Sequence, residues 1–223
     1  MEAYRTKSEL AAARLRDDIR SGVMRPRERI DIDALGELLG MSATPIREAL
    51  RQLQAEGFVV HEPHRGARVA DFSPEETADL YDLREVLESM ATLIASDHLT
   101  AADIAELGQL AEANRAAIDR NDHADAMLLN EAWHMTIYAA AQNTPHLMDF
   151  IRRLWNDPRS ATWVVPGRLP LSRRDHAAIM DALSAGDGKR AADLMGEHIR
   201  AGKNLVLRHL RDDPGDPSKE PVP

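Results

Sequence analysis

Asn130 and His134, in the stretch NEAWH, stand four residues apart and so share one face of any helix that carries them. His176 lies in RRDHAAIMDAL and His198 in MGEHIRAGKNL. Each has an apolar helical stripe beside it, Ile179 and Leu183 for the first, Leu194 and Ile199 for the second. Three helices could thus bring three imidazoles and one amide oxygen to the centre of a bundle. Neutral imidazole is a ligand for Zn²⁺, Ni²⁺ or Cu²⁺, and water or a carboxylate could complete the shell. The alternative is three core histidines, each satisfied by its own hydrogen bonds, because residues distant in sequence need not converge. The other six, His61, His64, His98, His123, His146 and His209, read as surface or locally satisfied residues.

A second group of residues offers chemistry of another kind. SATPIREALRQLQAEGFV, residues 42–59, places Ile46, Ala49, Leu50 and Leu53 at i, i+3, i+4 and i+7, one apolar helical face. Arg47, Arg51 and Gln54 fall on another face. Thr44 is expected to cap this helix, with Pro45 at its first position, where a missing N–H costs nothing, and Gly57 to stop it. A guanidinium presented this way can donate two hydrogen bonds to guanine or clamp a phosphate.

The elements around that helix suit such a use. The stripe Leu10, Ala11, Leu15, Asp18 and Ile19 predicts a helix over 8–20, ended by Gly22, and Pro26 keeps the next stretch extended. Asp33 to Leu39 reads as a short helix with Leu35, Leu38 and Leu39 inward, and GMS at 40–42 as a tight turn into the arginine-bearing helix. FVVHEPHRGARVA alternates around Pro63-His64-Arg65-Gly66 as two short strands and a turn would. Helix, helix-turn-helix and hairpin in that order describe a winged helix-turn-helix. Its second paired helix enters the major groove of duplex DNA, and the hairpin reaches toward the minor groove.

From residue 73 onward the patterns are helical. SPEE at 73–76 and TAAD at 100–103 have capping-box spacing. Helices are expected at about 74–96, 101–119, 122–141, 145–156, 172–185 and 188–210, an all-α bundle. The fold class is therefore mainly α. Residues 1–71 read as a winged helix-turn-helix domain, 72–211 as an all-α domain, and 212–223, DDPGDPSKEPVP, as a disordered tail too polar and proline-rich to pack.

Bulk composition agrees. The chain has 223 residues, 43% hydrophobic and 29% charged, ordinary proportions for a globular protein. No run approaches the roughly 18 apolar residues that would cross a bilayer, and MEAYRTKSELAAARLRDD lacks the apolar core of a signal peptide. A cytoplasmic location with no membrane partner is expected. Cysteine is absent, which excludes disulfides and thiolate metal sites. The net charge of −9 argues against general affinity for nucleic acid. Its distribution is uneven, however: residues 1–70 hold 12 basic and 11 acidic side chains, the remainder 16 and 26. If any part of the chain touches DNA, this distribution makes it the N-terminal third.

The stretch SGVMRPRERIDIDALGELLGMSATPIREALRQLQAEGFVVHEPHRGARV resembles the GntR family of bacterial transcription regulators. Turn, cap, helix and wing match in order over about 60 residues. The resemblance implies that Ser42, Thr44 and Arg47 contact operator bases or phosphates, and that Gly66 is the wing-tip glycine. Arg51, Arg65 and Arg68 are candidate phosphate contacts, with ordinary solvated arginines as the alternative for each. Where the family commonly reads Ser-Arg-Thr-Pro, this chain has Ala43. Loss of that arginine should change or relax the operator sequence by about 1–3 kcal/mol at one base pair.

The C-terminal bundle looks like the FCD ligand-binding domain of the FadR-type subfamily. Such regulators are homodimers whose helical domains bind small organic acids, often beside a metal ion. Their metal pattern is Asp or Asn, four residues to His, a His early in a late helix and a His in the last, which Asn130, His134, His176 and His198 match. The resemblance thus implies a divalent ion, zinc or nickel. Asn130 for the commoner aspartate removes a negative charge and should weaken metal binding. A bundle that binds its effector by hydrogen bonds alone is the alternative. Arg84, in YDLREVLES, matches an arginine of the first FCD helix that faces the effector cavity, where it could grip a carboxylate. It could instead pair with Glu88, at i+4, on the helix surface. Arg159 is a second effector candidate.

The function implied is a dimeric regulator on a palindromic double-stranded DNA operator, responsive to a small carboxylate that changes the placement of its two winged domains. A metal-responsive regulator without an organic effector is one alternative. A metal-dependent hydrolase is another, and it would need a base or nucleophile beside the metal. Glu131 points about 100° away from Asn130 on a helix, and no HExxH, GxSxG or phosphate-loop motif occurs. No catalytic residue is assigned, and the chain is not expected to be an enzyme.

Overall fold

A computed structural model describes residues 6–20, 23–62, 66–71, 73–142, 144–160, 165 and 168–212. Contacts divide the chain into two units, Met1–Phe72 with Asn156–Val164, and Ser73–Trp155 with Val165–Pro223. Gly22, Pro63, His64, Arg65 and residues 213–223 of the expected tail lie outside the described residues.

The first unit holds α1 (Lys7–Arg20), α2 (Ile32–Leu39), α3 (Ala43–Ala55), β1 (Val59–Glu62) and β2 (Gly66–Val69). Helix α1 packs on α3 around Ala11, Ala12, Leu15, Ile19, Ile46, Ala49, Leu50 and Leu53. Ala12 takes the place expected for Leu10, which is exposed. Helix α2 starts where the Asp31 carboxylate accepts from the amides of Asp33 and Ala34, and it ends at Gly40, whose φ of 62° is left-handed. Ile32, Leu35 and Leu39, at i, i+3 and i+7, pack inward, but Leu38 is 69% exposed, because it lies about 90° round the helix from the centre of that stripe. The start of α3 also differs from expectation. Ser42 occupies the cap position without a side-chain cap bond, so Thr44 and Pro45 are the second and third helical residues. Every amide of a first turn lacks a helical acceptor, so proline is tolerated at the third position as well as the first.

β1 and β2 pair antiparallel, Val59 opposite Val69 and Glu62 opposite Gly66. The arm before α2 joins them: the Ile30 amide donates to the Ala67 carbonyl at 2.9 Å, and the Val69 amide to that of Glu28 at 2.9 Å.

The second unit is built from α4 (Pro74–Ser96), α5 (Ala101–Asp119), α6 (His123–Ala139), α7 (Pro145–Asn156), α8 (Arg168–Ser184) and α9 (Gly188–Asp212). Ser73 accepts from the Glu76 amide with Pro74 in the first turn, and Thr100 and Asp103 form a reciprocal capping box. A short 3₁₀ turn, Pro158–Ser160, follows α7. Trp133, Ile137, Ile151, Trp155, Ile179 and Met195 are among the buried core. Helices α4 and α9 run antiparallel in close contact, with Arg200 and Lys203 paired to Glu85 and Asp82 at one end. At the other end Gly188 meets Ser96. Among the described residues no helix is long and apolar enough to cross a membrane.

The close approach at Gly188 is testable. A Cβ there would lie 1.9 Å from Ser96 Oγ and 2.7 Å from its Cβ, whereas one at Gly108 would meet only the Met180 methyl at 3.8 Å. Gly188→Ala is expected to lower unfolding free energy by about 1–3 kcal/mol through overpacking. Gly108→Ala is expected to raise it by about 0.5–1 kcal/mol as a helix-interior replacement. Denaturant titration of the two variants measures both.

Candidate functional site

Helix α6 presents Asn130, His134 and Tyr138 at i, i+4 and i+8, so one buried face carries an amide, an imidazole and a phenol. Helix α8 adds Ser172 and His176, again four apart, and α9 adds His198. The three imidazoles are buried and converge, with one nitrogen from each within 4.8 Å of the others. His134 Nε2 and His176 Nε2 are 3.2 Å apart. Two ligands at about 2.0–2.1 Å from one ion, at angles between octahedral and tetrahedral, stand about 2.8–3.4 Å apart, so the pair's 3.2 Å fits a shared metal. Ser172 Oγ lies 3.2 Å from His176 Nε2 and 3.4 Å from Asn130 Oδ1, which brings the amide to the same place. His198 Nδ1 is 3.2 Å from Asp175 Oδ2, a carboxylate that orients the ring from behind. Trp133 stacks on His176 with centroids 3.9 Å apart.

Arg84 and Glu88, one turn apart on α4, complete the polar interior. Their i, i+4 pairing forms, but inside the core and not on the helix surface, with Arg84 5% and Glu88 0% exposed. Arg84 Nε donates to Glu88 Oε1 at 2.7 Å. The guanidinium lies 4.5 Å from the Trp155 ring centroid and 5.1 Å from that of Tyr81. These aromatic faces replace water as its surroundings. Burial alone would pull the Arg84 pKa down, but attraction to Glu88 prevails and holds it above the usual value. The other Glu88 oxygen accepts a short hydrogen bond from the Tyr138 hydroxyl, which also meets His134 Nδ1 at 2.9 Å. Burial, then the charge of Glu88, pushes the Tyr138 phenol well above its usual range, so it keeps its proton.

Trp155 spans the distance between the two groups. Its ring is 5.0 Å from that of His134 as well as 4.5 Å from the guanidinium. Its indole N–H, like that of Trp133, is buried without a hydrogen-bond partner among the described residues. Such a donor suits an oxygen of a small bound molecule. Arg159, by contrast, donates to Asp157 Oδ1 at 2.9 Å in a segment grouped with the first unit. Tyr138, Ser172, Asp175 and Trp155 were not anticipated. Spacing could have found Tyr138 and Ser172, each four residues from a singled-out histidine on its own helix.

In the first unit, Thr44, Arg47 and Arg51 lie at i, i+3 and i+7 on the exposed side of α3, and Ser42 is exposed at its start. The opposite side is the buried row Ile46, Ala49, Leu50 and Leu53. Arg14, Arg16, Arg27 and Arg68 are each paired with an acidic residue: Asp18, Glu56, Asp71 and Glu62. Arg47 and Arg51 make no ion pair among the described residues. Gly66 opens β2 with φ of 85° and open space where a Cβ would stand. Arg65 lies outside the described residues. The expected surface histidines that are described, His61, His98, His123, His146 and His209, are all exposed.

The buried pair gives a stability test. Arg84→Met leaves the Glu88 carboxylate buried without its counter-charge and should cost about 3–5 kcal/mol of unfolding free energy. The double variant Arg84→Met with Glu88→Leu should recover most of that loss, measured by denaturant titration of metal-free protein.

Comparison with known proteins gives concordant results. The pattern of the FCD domain matches residues 79–201, and that of bacterial regulatory proteins, gntR family, matches residues 7–69. The chain is 31% identical over 141 residues to the HTH-type transcriptional regulator McbR of Escherichia coli, an alignment spanning 63% of each chain. It is 27% identical over 201 residues to the HTH-type transcriptional repressor GlaR of Escherichia coli, covering 83% of this chain and 89% of that one. The solved structure of E. coli McbR/YncC superposes with a TM-score of 0.76 and 25% identity, over 94% of this chain and 100% of the other. A structure from Rhodococcus sp. RHA1 shares the fold, with a TM-score of 0.74 and 22% identity.

Proposed function

We propose, since this chain belongs to the GntR family of transcription regulators and carries an FCD domain, that it binds a palindromic operator as a homodimer under control of a small carboxylate held beside a divalent metal ion. The chain is a transcription regulator and not an enzyme. The observation that carries the finer reading is the convergence of three buried imidazoles, with an unpartnered indole N–H and a buried guanidinium nearby in the same unit.

Asn130, His134, His176 and His198 would hold zinc or nickel. A bound ion supplies a Lewis-acidic contact for one effector oxygen. Arg84 and the Trp155 indole would orient the rest of a carboxylate, with the two rings flanking Arg84 excluding water. Ser42, Thr44, Arg47 and Arg51 would face the major groove, and Gly66 would let the wing backbone approach the duplex. Two such heads act together only when their separation matches the half-site spacing, which is how an effector in the helical unit would be read out. An organism's cytoplasm is where such a protein meets its operator.

One observation favours a second reading. Arg84 is already neutralised by Glu88, so the metal alone could be the signal, without an organic effector. Titrating zinc and organic acids separately against DNA binding distinguishes the two: a metal-only sensor responds to zinc and to no acid.

For the metal, elemental analysis of purified protein should find zinc or nickel at less than full occupancy, and Asn130→Asp should raise zinc affinity by adding a negative ligand. For the operator, a duplex selected from a random pool should be bound in the nanomolar range. Arg47→Ala should weaken that binding and reduce the slope of log affinity against log salt by about 1 if the side chain meets a phosphate, or relax one base preference if it reads guanine. Unchanged affinity, selectivity and salt slope would remove Arg47 from the interface. A stabilising carboxylate found by thermal shift should lose its effect in Arg84→Lys, which keeps the charge but loses the fork.

A further inference from the structure

We propose that Glu88, acting through Tyr138, is a positioning residue that presents a bare Nε2 of His134 to the centre of the histidine cluster, while the same carboxylate holds Arg84. The proposal rests on the metal reading above for its purpose, but its physical content is the placement of protons, which can be read without metal.

The supply of donors fixes where each proton sits. A guanidinium has only protons to give, so Glu88 Oε1 accepts from Arg84 Nε. A carboxylate has only lone pairs to offer, so the short contact at Glu88 Oε2 takes the single proton of the Tyr138 hydroxyl. That leaves the phenol oxygen as an acceptor toward His134 Nδ1, 2.9 Å away. His134 Nδ1 must then carry the ring proton, and its Nε2 is bare. This nitrogen faces His176 Nε2 at 3.2 Å, so in the absence of metal the proton between them belongs to His176. Ser172 supports that assignment: with its own proton directed to Asn130 Oδ1, its oxygen is left to accept from His176 Nε2.

His198 is set by a separate carboxylate. Its Nδ1 donates to Asp175 Oδ2 at 3.2 Å, which leaves Nε2 bare. Two of the three imidazoles therefore stand in the tautomer that a metal requires before any metal arrives. His176 alone must give up its Nε2 proton. Because Glu88 is fully buried and serves Arg84 and Tyr138 at once, the proposed anion grip and the proposed metal ligand share one counter-charge. If Glu88 served only to neutralise Arg84, the His134 tautomer would not depend on it.

The experiment uses the full chain, treated with a chelator, labelled with ¹⁵N-histidine and observed by long-range ¹H–¹⁵N correlation. The expected pattern is Nδ1–H for His134 and His198 and Nε2–H for His176. In Glu88→Gln the introduced amide keeps an oxygen for Arg84 and turns its N–H₂ toward Tyr138. The phenol proton is then directed at His134, which should switch to Nε2–H. In Tyr138→Phe the His134 Nδ1 loses its acceptor, and zinc affinity, read by competition with a chromophoric chelator, should fall about 10–100-fold. An Nε2–H His134 in the unaltered protein overturns the proposal outright, even if no variant folds. So does an unchanged Nδ1–H signal in folded Glu88→Gln. If the unaltered protein binds no zinc but shows the expected tautomers and the switch, the positioning role stands and the metal reading alone fails.

Discussion

Placing Arg84 and Glu88 inside a helical core imposes most of what surrounds them. Removing two ions from water costs several kcal/mol each, and their mutual attraction offsets this only when the remaining lone pairs and protons are also satisfied. The guanidinium is met by the rings of Tyr81 and Trp155, and the second carboxylate oxygen by Tyr138. Tyr138 in turn contacts His134 and the Met195 sulfur. One charge pair on α4 thereby dictates which faces α6, α7 and α9 present to it. His134 lies along the same chain of contacts, so its placement depends on the neutralised pair, whereas His198 is held by Asp175 and His176 by Ser172.

The winged unit deals with charge in the opposite way. Apart from the Arg14 pair with buried Asp18, its described ion pairs are exposed or half-buried, where each contributes little to stability, but several fix orientation. Arg16 on α1 reaches Glu56 at the end of α3 by both Nε and Nη2. That contact, with the buried row of α3, holds the helix so that Arg47 and Arg51 project from its other side. Chemistry in one unit is enclosed by aromatic rings, and in the other it is displayed to solvent. An enclosed polar site suits a small solute, as proposed, and a displayed basic face suits a highly charged polymer.

Helix existence was legible from periodicity and caps. Helices α5 and α7 begin and end where their patterns do, and the boundaries of α4 follow Ser73, Pro74 and the pattern's end. Where reading failed, the causes are specific. Leu38 is apolar and so reads as inward, yet the stripe of α2 is set by Ile32, Leu35 and Leu39. Thr44 reads as a cap because proline is commonest at the first helical position, a preference and not a rule; the cap is Ser42. At the site, the histidines and Arg84 could be singled out by residue type and resemblance, but their convergence is a three-dimensional fact no spacing contains. Glu88 was visible as a partner for Arg84, and only packing told that the pair is buried. Asp175 and Trp155 come from other helices than the residues they support, and sequence distance hides such relations.

The antiparallel contact of α4 with α9 joins the first helix of the second unit to its last. During synthesis, α4 leaves the ribosome with its charged pair and apolar residues uncovered, and its partner arrives only about a hundred residues later. Contacts so distant in sequence close slowly, since the intervening loop entropy must be met first. A newborn chain would therefore hold its helix-turn-helix and hairpin well before the helical unit can close.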